Sequence, residues 1–518
     1  MQAILPLPVV LPLGAAFAIL AMAHVAALKR LTTLTALAAV AVNLVLSFLL
    51  LAAPDGRLFV GGWGAGKTLG IEMVSDGLSK LMVLTVNMVA LAALLFAASY
   101  MRHFRAEGLP AGADRKLWLF ECLFLLMTGA MNGVVLTGDL FNMFVFLEVA
   151  AIASYALVGF GCEADELEAA FKYLVLGSVG SAFILLGITI LYALTGQLNM
   201  AQVASLLPKV GATGPAVLLA AACLLGGLAL KAAMVPFHAW LPDAHPSAPA
   251  PISAMLSGVL IKACGVYTLG RVLFNVLGPS VEYGGVLAAM GAVSMLAGVL
   301  LAVGQWDFKR LLAYHSISQM GYVVLAFGAA AVVVSQGGSR TVASLLLFGG
   351  LFHMFNHAVF KGLLFLSSGA IEQQAGTRML KELGGLARRM PVTSFCCRVG
   401  ALSIAGVPPF NGFFSKLIII IALAAAKLYL LAALAALVAL VTLLSFVKVQ
   451  RYALDGEPEG KAAGAREAPA LMCVAMGALA LICATAGVGA AFLYPRLFAP
   501  AADALLAGAR ALAAGGAP

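Results

Sequence analysis

Long apolar runs separated by short polar connections make up most of this chain. About fourteen runs approach the length of roughly 20 residues with which a helix crosses a bilayer. They begin near residues 3, 31, 81, 117, 140, 170, 214, 251, 282, 310, 342, 393, 427 and 469. This series predicts an all-α polytopic membrane protein. Because no basic residues precede the first run, we expect it to be a retained span rather than a cleaved signal.

Two of the runs are interrupted by proline. Residues 231–242 read KAAMVPFHAWLP and residues 406–416 read GVPPFNGFFSK, each with Pro-Phe close to a lysine. Proline removes a helical hydrogen bond, and a break at membrane depth is tolerated only in protein or beside a wet cavity. Lys231 precedes its proline whereas Lys416 follows its own. This reversed order predicts two halves with opposite membrane orientations and an ion site at the breaks.

Composition and charge agree with a membrane protein. The chain is 63% hydrophobic and 10% charged, with a mean hydropathy of +1.05, which excludes a soluble core. The net charge of +9 does not indicate nucleic acid, because the basic residues fall in short connections. If the spans alternate, the odd-numbered connections contain Lys29, Arg30, Arg102, Arg105, Arg115, Lys116, Lys309, Arg310, Arg378, Lys381, Arg388, Arg389, Lys448, Arg451, Lys461 and Arg466. The positive-inside rule then places these connections in the cytoplasm and both termini outside.

Four ionisable residues lie inside the apolar runs: Glu148, Lys231, Lys262 and Lys416. A charge at the bilayer centre costs about 2.5 to 3.5 kcal/mol on insertion scales, so such residues normally face protein or water. Glu148 is either the structural half of a buried ion pair or a functional carboxylate, and Lys231 is its expected partner. Opposite charges within about 4–6 Å stabilise each other's charged forms. This set of residues predicts ion or proton conduction.

Histidines add a possible relay. His353 and His357 share one helix face, and Lys361 continues that face one turn later. Histidine titrates near neutral pH and suits proton transfer, although an intramembrane histidine can equally be a donor that packs helices together. His315 also falls within an apolar run. Asp139 stands at a helix start, where we expect it to be an N-cap.

We expect neither a nucleotide site nor a metal site in this chain. GGWGAGKT at Gly61–Thr68 fits the phosphate-loop pattern but lacks the strand and helix that such a loop requires, so we expect no bound nucleotide. The cysteines show no metal or iron-sulfur spacing and are interpreted as small buried hydrophobic residues. They are Cys122, Cys162, Cys223, Cys264, Cys396, Cys397, Cys473 and Cys483. We therefore expect no metal site and no cofactor.

Five strings resemble one known family. They are TGDLFNMFVFLEV (137–149), KAAMVPFHAWLPDAHPSAPAPISAMLSGVLIKACGVY (231–267), FKRLLAYHSISQMGY (308–322), FNHAVFKGLLFLSSGAI (355–371) and GVPPFNGFFSK (406–416). They resemble the antiporter-like membrane subunits, which include large subunits of Mrp-type cation/proton antiporters, proton-pumping subunits of respiratory complex I and related subunits of membrane-bound hydrogenases. The resemblance covers roughly residues 60–420, and it is greatest for the D-type subunits of the Mrp antiporters.

The resemblance implies a fold of about fourteen transmembrane helices with two inverted five-helix repeats and interrupted helices 7 and 12. The implied divisions are helices 1–3 in residues 1–116, the first repeat in 117–275, the second repeat in 276–450, and helix 14 with a tail in 451–518. Position by position, Glu148 matches the family's glutamate of helix 5, and the lysines of helices 7, 8 and 12 correspond to Lys231, Lys262 and Lys416. Cys264 stands where the family has a small residue.

The function implied by the resemblance is proton translocation within a multisubunit Na+/H+ antiporter. The alternative is an H+- or Na+-pumping subunit of a redox-driven complex, in which the redox centre would belong to a partner; whether the chain is part of an enzyme stays open. A non-transporting scaffold and inorganic-carbon uptake are further alternatives. Expected partners are other membrane subunits, protons, Na+ as a candidate ion and the lipid bilayer of a bacterial or archaeal plasma membrane.

Overall fold

Helices form almost all of the described chain. A computed structural model describes residues 4–25, 27–62, 70–103, 114–211, 214–457 and 460–513. The main helices are α1 Leu7–Ala23, α2 Thr32–Ala52, α3 Gly77–His103, α4 Asp114–Leu136, α5 Leu140–Val158, α6 Ala164–Thr195, α7 Met200–Leu206, α8 Pro215–Lys231, α9 Leu241–Ser247, α10 Ala250–Leu277, α11 Val281–Val303, α12 Phe308–Ser335, α13 Arg340–Ala375, α14 Pro391–Ala405, α15 Asn411–Ala425, α16 Tyr429–Leu454, α17 Ala470–Val488 and α18 Ala499–Ala513. Short helical turns cover Lys29–Leu31, Val60–Gly62, Leu380–Glu382, Leu386–Arg389, Gly460–Gly464, Ala490–Leu493 and Tyr494–Phe498.

The helix lengths define a multi-pass membrane protein. In the described residues, 11 helices are long and apolar enough to cross a bilayer, and four shorter apolar helices accompany them. The shorter helices are α1, α8, α14 and α15. A polytopic and mostly helical class is therefore confirmed, whereas the β-hairpin described below departs from the expected all-α class. Of the expected starts, residue 140 coincides with the first residue of α5, whereas the start near 170 is late because α6 begins at Ala164.

Both predicted interruptions are present. Helix α8 ends at Lys231, and regular helix resumes only at Leu241 in α9. Helix α14 ends at Ala405, and α15 begins at Asn411. Each break therefore places a helix end beside a lysine of the site: Lys231 is the last residue of α8, and Lys416 lies in the second turn of α15.

A small hairpin lies at one end of the helices. Strands β1 (Gly56–Phe59) and β2 (Glu72–Ser75) pair antiparallel, and they form the sheet of the described residues. The phosphate-loop-like string Gly61–Thr68 belongs to the connection between them and lies largely outside the described residues. The strands that flank it form a hairpin, whereas a phosphate loop connects a buried strand to a helix.

Small residues allow helices α11 and α12 to pack closely. A methyl group on Gly321 would come within 2.6 Å of the carbonyl oxygen of Gly291, and one on Gly298 would come within 2.6 Å of the backbone nitrogen of Ser318. Small residues at such positions let the backbones of membrane helices approach, because lipid supplies no hydrophobic drive for association. This contact fixes α12, which carries several of the polar side chains described below.

A buried amide network joins the first four helices, and a proline explains its position. Pro12 lies inside α1 and has no N–H, so the carbonyl oxygen of Pro8 has no helical donor. The side-chain amides of Asn43 on α2 and Asn132 on α4 donate to this oxygen at 2.9 Å and 3.0 Å. Asn87 on α3 bonds to both asparagines at 3.3 Å and 3.1–3.2 Å. The freed carbonyl thus anchors α2 and α4 directly, and Asn87 adds α3 to the network through the two asparagines.

We expect Asn87→Leu to destabilise this helical bundle by roughly 1–3 kcal/mol, because it removes hydrogen bonds from polar groups that remain buried. The measurement is thermal unfolding of the purified protein in mild detergent. Thr189→Ala is the matched control, since Thr189 is exposed and its hydroxyl bonds only to its own helix. Equal unfolding temperatures for both variants would contradict a stabilising role for the network.

Candidate ion-translocation site

Glu148 and Lys231 form the expected ion pair. The Nζ atom of Lys231 lies 3.4 Å from Oε1 of Glu148 on α5, and Ser181 on α6 donates to the same carboxylate oxygen. Lys231 is buried, whereas the Glu148 side chain is 30% exposed. Lys231 also ends α8, where the unsatisfied carbonyls of the helix favour a cation. The break therefore places the ammonium group between a helix end and a carboxylate.

Lys262 and Lys361 lie deeper in the protein, and both are fully buried. Lys262 is in a π-helical stretch of α10, a conformation that often marks functional sites, and its Nζ donates to the Ser257 carbonyl. The Ser257 hydroxyl is 2.7 Å from that of Ser316 on α12. Lys361 on α13 donates to the Leu312 carbonyl at 2.5 Å. A serine pair and backbone carbonyls thus connect α10, α12 and α13.

The histidines of α13 extend this polar row. His353 Nδ1 lies 2.9 Å from the Ser415 hydroxyl on α15, which places it one residue from Lys416. His357 is buried, and neither of its ring nitrogens has a hydrogen-bond partner. His315 on α12 contacts the Ser445 hydroxyl at 2.8 Å. One face of α13 carries His353, His357 and Lys361, as the sequence predicts. This face therefore contacts α15 at His353 and α12 at Lys361.

Lys416 occupies the second break. Its Nζ donates to the Ile404 carbonyl at 2.7 Å, and it lies 5.4 Å from the centre of the Tyr322 ring. Ile404 is in the last turn of α14, where carbonyls lack helical donors. A helix end thus faces an ammonium group at both interruptions. Lys231 and Lys416 differ in their counter-charge. Among the described residues, Lys231 forms an ion pair with the Glu148 carboxylate, whereas Lys416 forms none.

Sequence reasoning missed His245. It follows the first break, in α9, and is fully buried with both ring nitrogens unpartnered. Its ring stacks on Phe365 at a centroid distance of 4.5 Å, and the Lys361 ammonium lies 5.7 Å from the centre of the same ring. His245 stands between Pro242 and Pro246, outside the long apolar runs in which a charged or titratable residue is conspicuous. The signal that could have found it is a histidine beside a membrane-depth break.

Many polar atoms along this row have no protein partner. The described residues with at least one buried unpartnered side-chain atom include His245, His315, Gln319, His353, His357, Ser403 and Asn411. Leaving a buried polar group unsatisfied costs roughly 1–3 kcal/mol. Such groups are the ones that internal water hydrogen-bonds. Their concentration beside the lysines indicates a row of groups suited to hydration and proton exchange.

A charged vestibule lies at one end of the helices. Its volume is about 740 Å3. It is lined by Tyr100, Glu163, Asp165, Glu166, Glu168, Ala169, Lys172, Asp243, Pro246, Ser247, Ala248, Asp307, Lys309, Arg310, Glu372, Gln373 and Arg378. Lys309 pairs with Glu372 at 2.8 Å, and Arg378 with Asp307 at 2.5 Å. Burial opposes the charge on Arg378, but these two carboxylates hold its pKa above the usual range. Because Pro246 directly follows His245, the vestibule adjoins the buried row.

A second vestibule opens on the opposite face. Its volume is about 790 Å3, and it lies where α3 begins and α10 ends, whereas the first lies where α3 ends and α10 begins. Arg271 on α10 pairs with Asp76, 2.5 Å away, before the start of α3. Burial alone would raise the pKa of Asp76, but the Arg271 guanidinium holds it below the usual range. This second vestibule is therefore bounded by an ion pair.

Two further predictions from the sequence concern Asp139 and the cysteines. Asp139 caps α5 by accepting from the backbone N–H of Asn142 at 2.7 Å, which confirms that expectation. The view that all cysteines are buried is wrong for Cys162, which is exposed in the turn before α6, and Cys473 is only partly buried. Turns at helix connections lie at the surface, and Cys162 stands in such a turn directly before the acidic first turn of α6.

The helical bundle contains a buried row of carboxyl, ammonium and imidazole groups between two vestibules. These features define a class of ion-handling membrane proteins. The match to known families agrees with that class. Residues 137–442 match the family "NADH:quinone oxidoreductase/Mrp antiporter, TM". The chain belongs to this family, and the matched region contains every site residue named from the sequence.

Three relatives indicate the breadth of the similarity. NADH-quinone oxidoreductase subunit N of Desulforudis audaxviator is 36% identical over 80% of this chain and 78% of its own length. The D-type Na+/H+ antiporter subunit of Alkalihalophilus pseudofirmus is 34% identical over 77% and 76%. Hydrogenase-4 component B of Escherichia coli is 33% identical over 82% of this chain and 63% of that protein.

Two solved structures have the same fold. A chain of the Mrp complex from Dietzia sp. DQ12-45-1b matches with a TM-score of 0.86 at 28% identity, covering 99% of both chains. A chain of the membrane-bound sulfane sulfur reductase, an archaeal respiratory membrane complex, matches with a TM-score of 0.85 at 28% identity and the same coverage.

Proposed function

We propose that this chain is the proton-translocating subunit of a multisubunit monovalent cation (Na+)/H+ antiporter. The observation that carries the proposal is the Glu148 and Lys231 pair at the first break, next to a buried row of lysines and histidines. The similarity to a D-type Na+/H+ antiporter subunit and to a chain of an Mrp complex supports it. Other membrane subunits and protons are the proposed partners, with Na+ as the exchanged cation.

We also propose the finer architecture. If α14 and α15 form one interrupted span and α8 with α9 forms another, the apolar helices give about fourteen spans. Helices 4–8 and 9–13 would then form two inverted repeats in residues 117–275 and 276–450, between helices 1–3 in 1–116 and helix 14 with the tail in 451–518. The reversed order of lysine and break in the two halves supports this assignment.

The proposed orientation has the odd-numbered connections in the cytoplasm and both termini outside, in the plasma membrane of a bacterium or archaeon. The Lys and Arg residues of the odd-numbered connections support this orientation. The vestibule beside His245 is bordered by these connections, so it would open to the cytoplasm. Protons would enter there, pass His245 and reach Lys262 and Lys361. The vestibule bounded by Asp76 and Arg271 would face outwards.

The proposed mechanism is electrostatic. Lys231 holds its proton most strongly while Glu148 is close, and separation of the pair lets the proton move towards Lys262 and then Lys416 by way of water and His353 or His357. Moving a unit charge through 100 mV costs about 2.3 kcal/mol. One unit of pKa corresponds to about 1.4 kcal/mol. A modest rearrangement of one ion pair is therefore sufficient to drive one step.

The second candidate is an H+- or Na+-pumping membrane subunit of a redox-driven complex. One observation favours this candidate. The NADH-quinone oxidoreductase subunit is 36% identical and the antiporter subunit 34%, and the TM-scores of the reductase and Mrp chains are 0.85 and 0.86. The same row of residues would carry the proton. The energy would come from electron transfer in a partner.

The partners distinguish the two candidates. We would tag this chain, extract its complex in mild detergent or native lipid, and identify the recovered subunits by mass spectrometry. The favoured proposal predicts that only further membrane subunits are recovered. Recovery of stoichiometric iron-sulfur or nickel-iron subunits would replace it with the redox-driven alternative.

A further inference from the structure

One buried carboxyl group, that of Glu121, lies away from the row of lysines. Glu121 is on α4, and the residue is 1% exposed. The Thr33 hydroxyl at the start of α2 donates to its Oε1 atom at 2.5 Å. Its Oε2 atom is buried and has no hydrogen-bond partner. Only one of the two carboxyl oxygens is therefore satisfied.

No ion pair compensates Glu121 within the described residues. Its neighbours along α4, Phe120, Phe124 and Leu125, are apolar and fully buried. Among the charged groups on the surrounding helices, Arg102 at the end of α3 is the one that acts on it electrostatically, and Arg102 is exposed.

The other elements packed against α4 place their titratable groups elsewhere. His24 at the end of α1 packs beside Trp118, and no ion pair of the described residues joins it to Glu121. Glu148 on α5 bonds to Lys231, while Lys262 and Arg271 on α10 bond to Ser257 and Asp76. From α2 the contacts are the uncharged Thr33 and Thr32.

An isolated carboxylate in apolar surroundings is costly, whereas a protonated carboxyl group can keep the hydrogen bond from threonine and remain neutral. We propose that Glu121, held by Thr33, is a second proton-binding site of this chain, off the row of lysines and histidines. Its ligand is the proton rather than a metal cation. The proposal does not depend on the antiporter function, because it rests only on the surroundings of Glu121.

The site lies close to the membrane face of the charged vestibule. Glu121 is seven residues into α4, which is about 10 Å from the helix start. Thr33 is partly exposed, so only one side chain separates the carboxyl group from that surface. Thr128 and Asn132 follow on the same face of α4 and are buried. They extend the polar face towards the amide network of Asn87.

The test is labelling with a hydrophobic carbodiimide, which adds to protonated carboxyl groups, in membrane vesicles that contain the complete complex. Labelled peptides are quantified by mass spectrometry. Glu72 is the internal control, because it is equally buried but accepts from Asn199 at 2.6 Å and pairs with Arg57. We expect roughly tenfold more label on Glu121 than on Glu72 at neutral pH, with no protection by Na+.

Glu121→Gln should lose this label and leave the yield and unfolding temperature of the complex unchanged, because an amide keeps the acceptor for Thr33. Infrared difference spectra of wild type and this variant should also contain a protonated carboxyl band, which reports the proton without requiring reagent access. Absence of that band would overturn the proposal. Protection from labelling by Na+, but not by K+, would overturn the proton as the ligand and assign the site to Na+.

Discussion

Lys231→Ala and Glu148→Ala are each expected to abolish proton transport while the complex still assembles. The two side chains form the ion pair at the first break, and either substitution removes the contact that adjusts the proton affinity of its partner. Glu148→Gln is the sharper variant, because its amide oxygen still accepts from Ser181 while the charge is lost. Transport is measured in vesicles with a pH-sensitive dye.

Arg388→Ala is the matched control for this pair. Arg388 also forms an ion pair, with Glu457 at 2.5 Å, but its side chain is 63% exposed and lines neither vestibule. Exposed ion pairs of this type contribute little, so we expect transport close to wild type. Wild-type transport in Glu148→Ala or Lys231→Ala would contradict the role assigned to the pair.

Lys262→Met is expected to have an effect as large as loss of the ion pair. Lys262 is fully buried between the first break and Lys361, and methionine fills similar space without an ammonium group. The proton then has no carrier on α10, so transport should fall to background while the complex assembles. The measurement is proton flux per unit of assembled complex.

Lys448→Met provides the control for Lys262. Lys448 also donates to backbone carbonyls, those of Val303 and Gln305 at 2.7 Å and 2.6 Å, but these lie at the end of α11, away from the row of lysines. We expect this variant to lose some stability and to retain transport. If both lysine variants lost transport equally, the effect of Lys262→Met would be structural rather than a loss of proton transfer.

The sequence predicted the main candidate site residues because their signal is local. A charged residue in an apolar run is visible without any contact information, and this identified Glu148, Lys231, Lys262 and Lys416. The breaks were visible for the same reason, since proline acts on its own helix. The pairing of Glu148 with Lys231 followed from charge alone, and the structure confirms it.

The remaining features depend on contacts between distant segments. Ser257 and Ser316 are ordinary serines until α10 and α12 bring their hydroxyl groups to 2.7 Å. Asn87 acquires its role only because Pro12 frees a carbonyl on another helix. Glu121 was overlooked because it stands near the start of its apolar run, where a charge can ordinarily reach the membrane surface. Helix packing, which periodicity does not encode, determines all three environments.

The central claim is that protons cross the membrane along the buried row of this chain. The most direct test is Na+-driven proton movement in proteoliposomes that contain the complete complex, with wild type and Lys262→Met compared at equal assembly. The account predicts a change of internal pH on addition of Na+ in wild type and none in Lys262→Met. Equal pH changes in the two preparations would contradict it, because the protons would then move by a path that does not use Lys262.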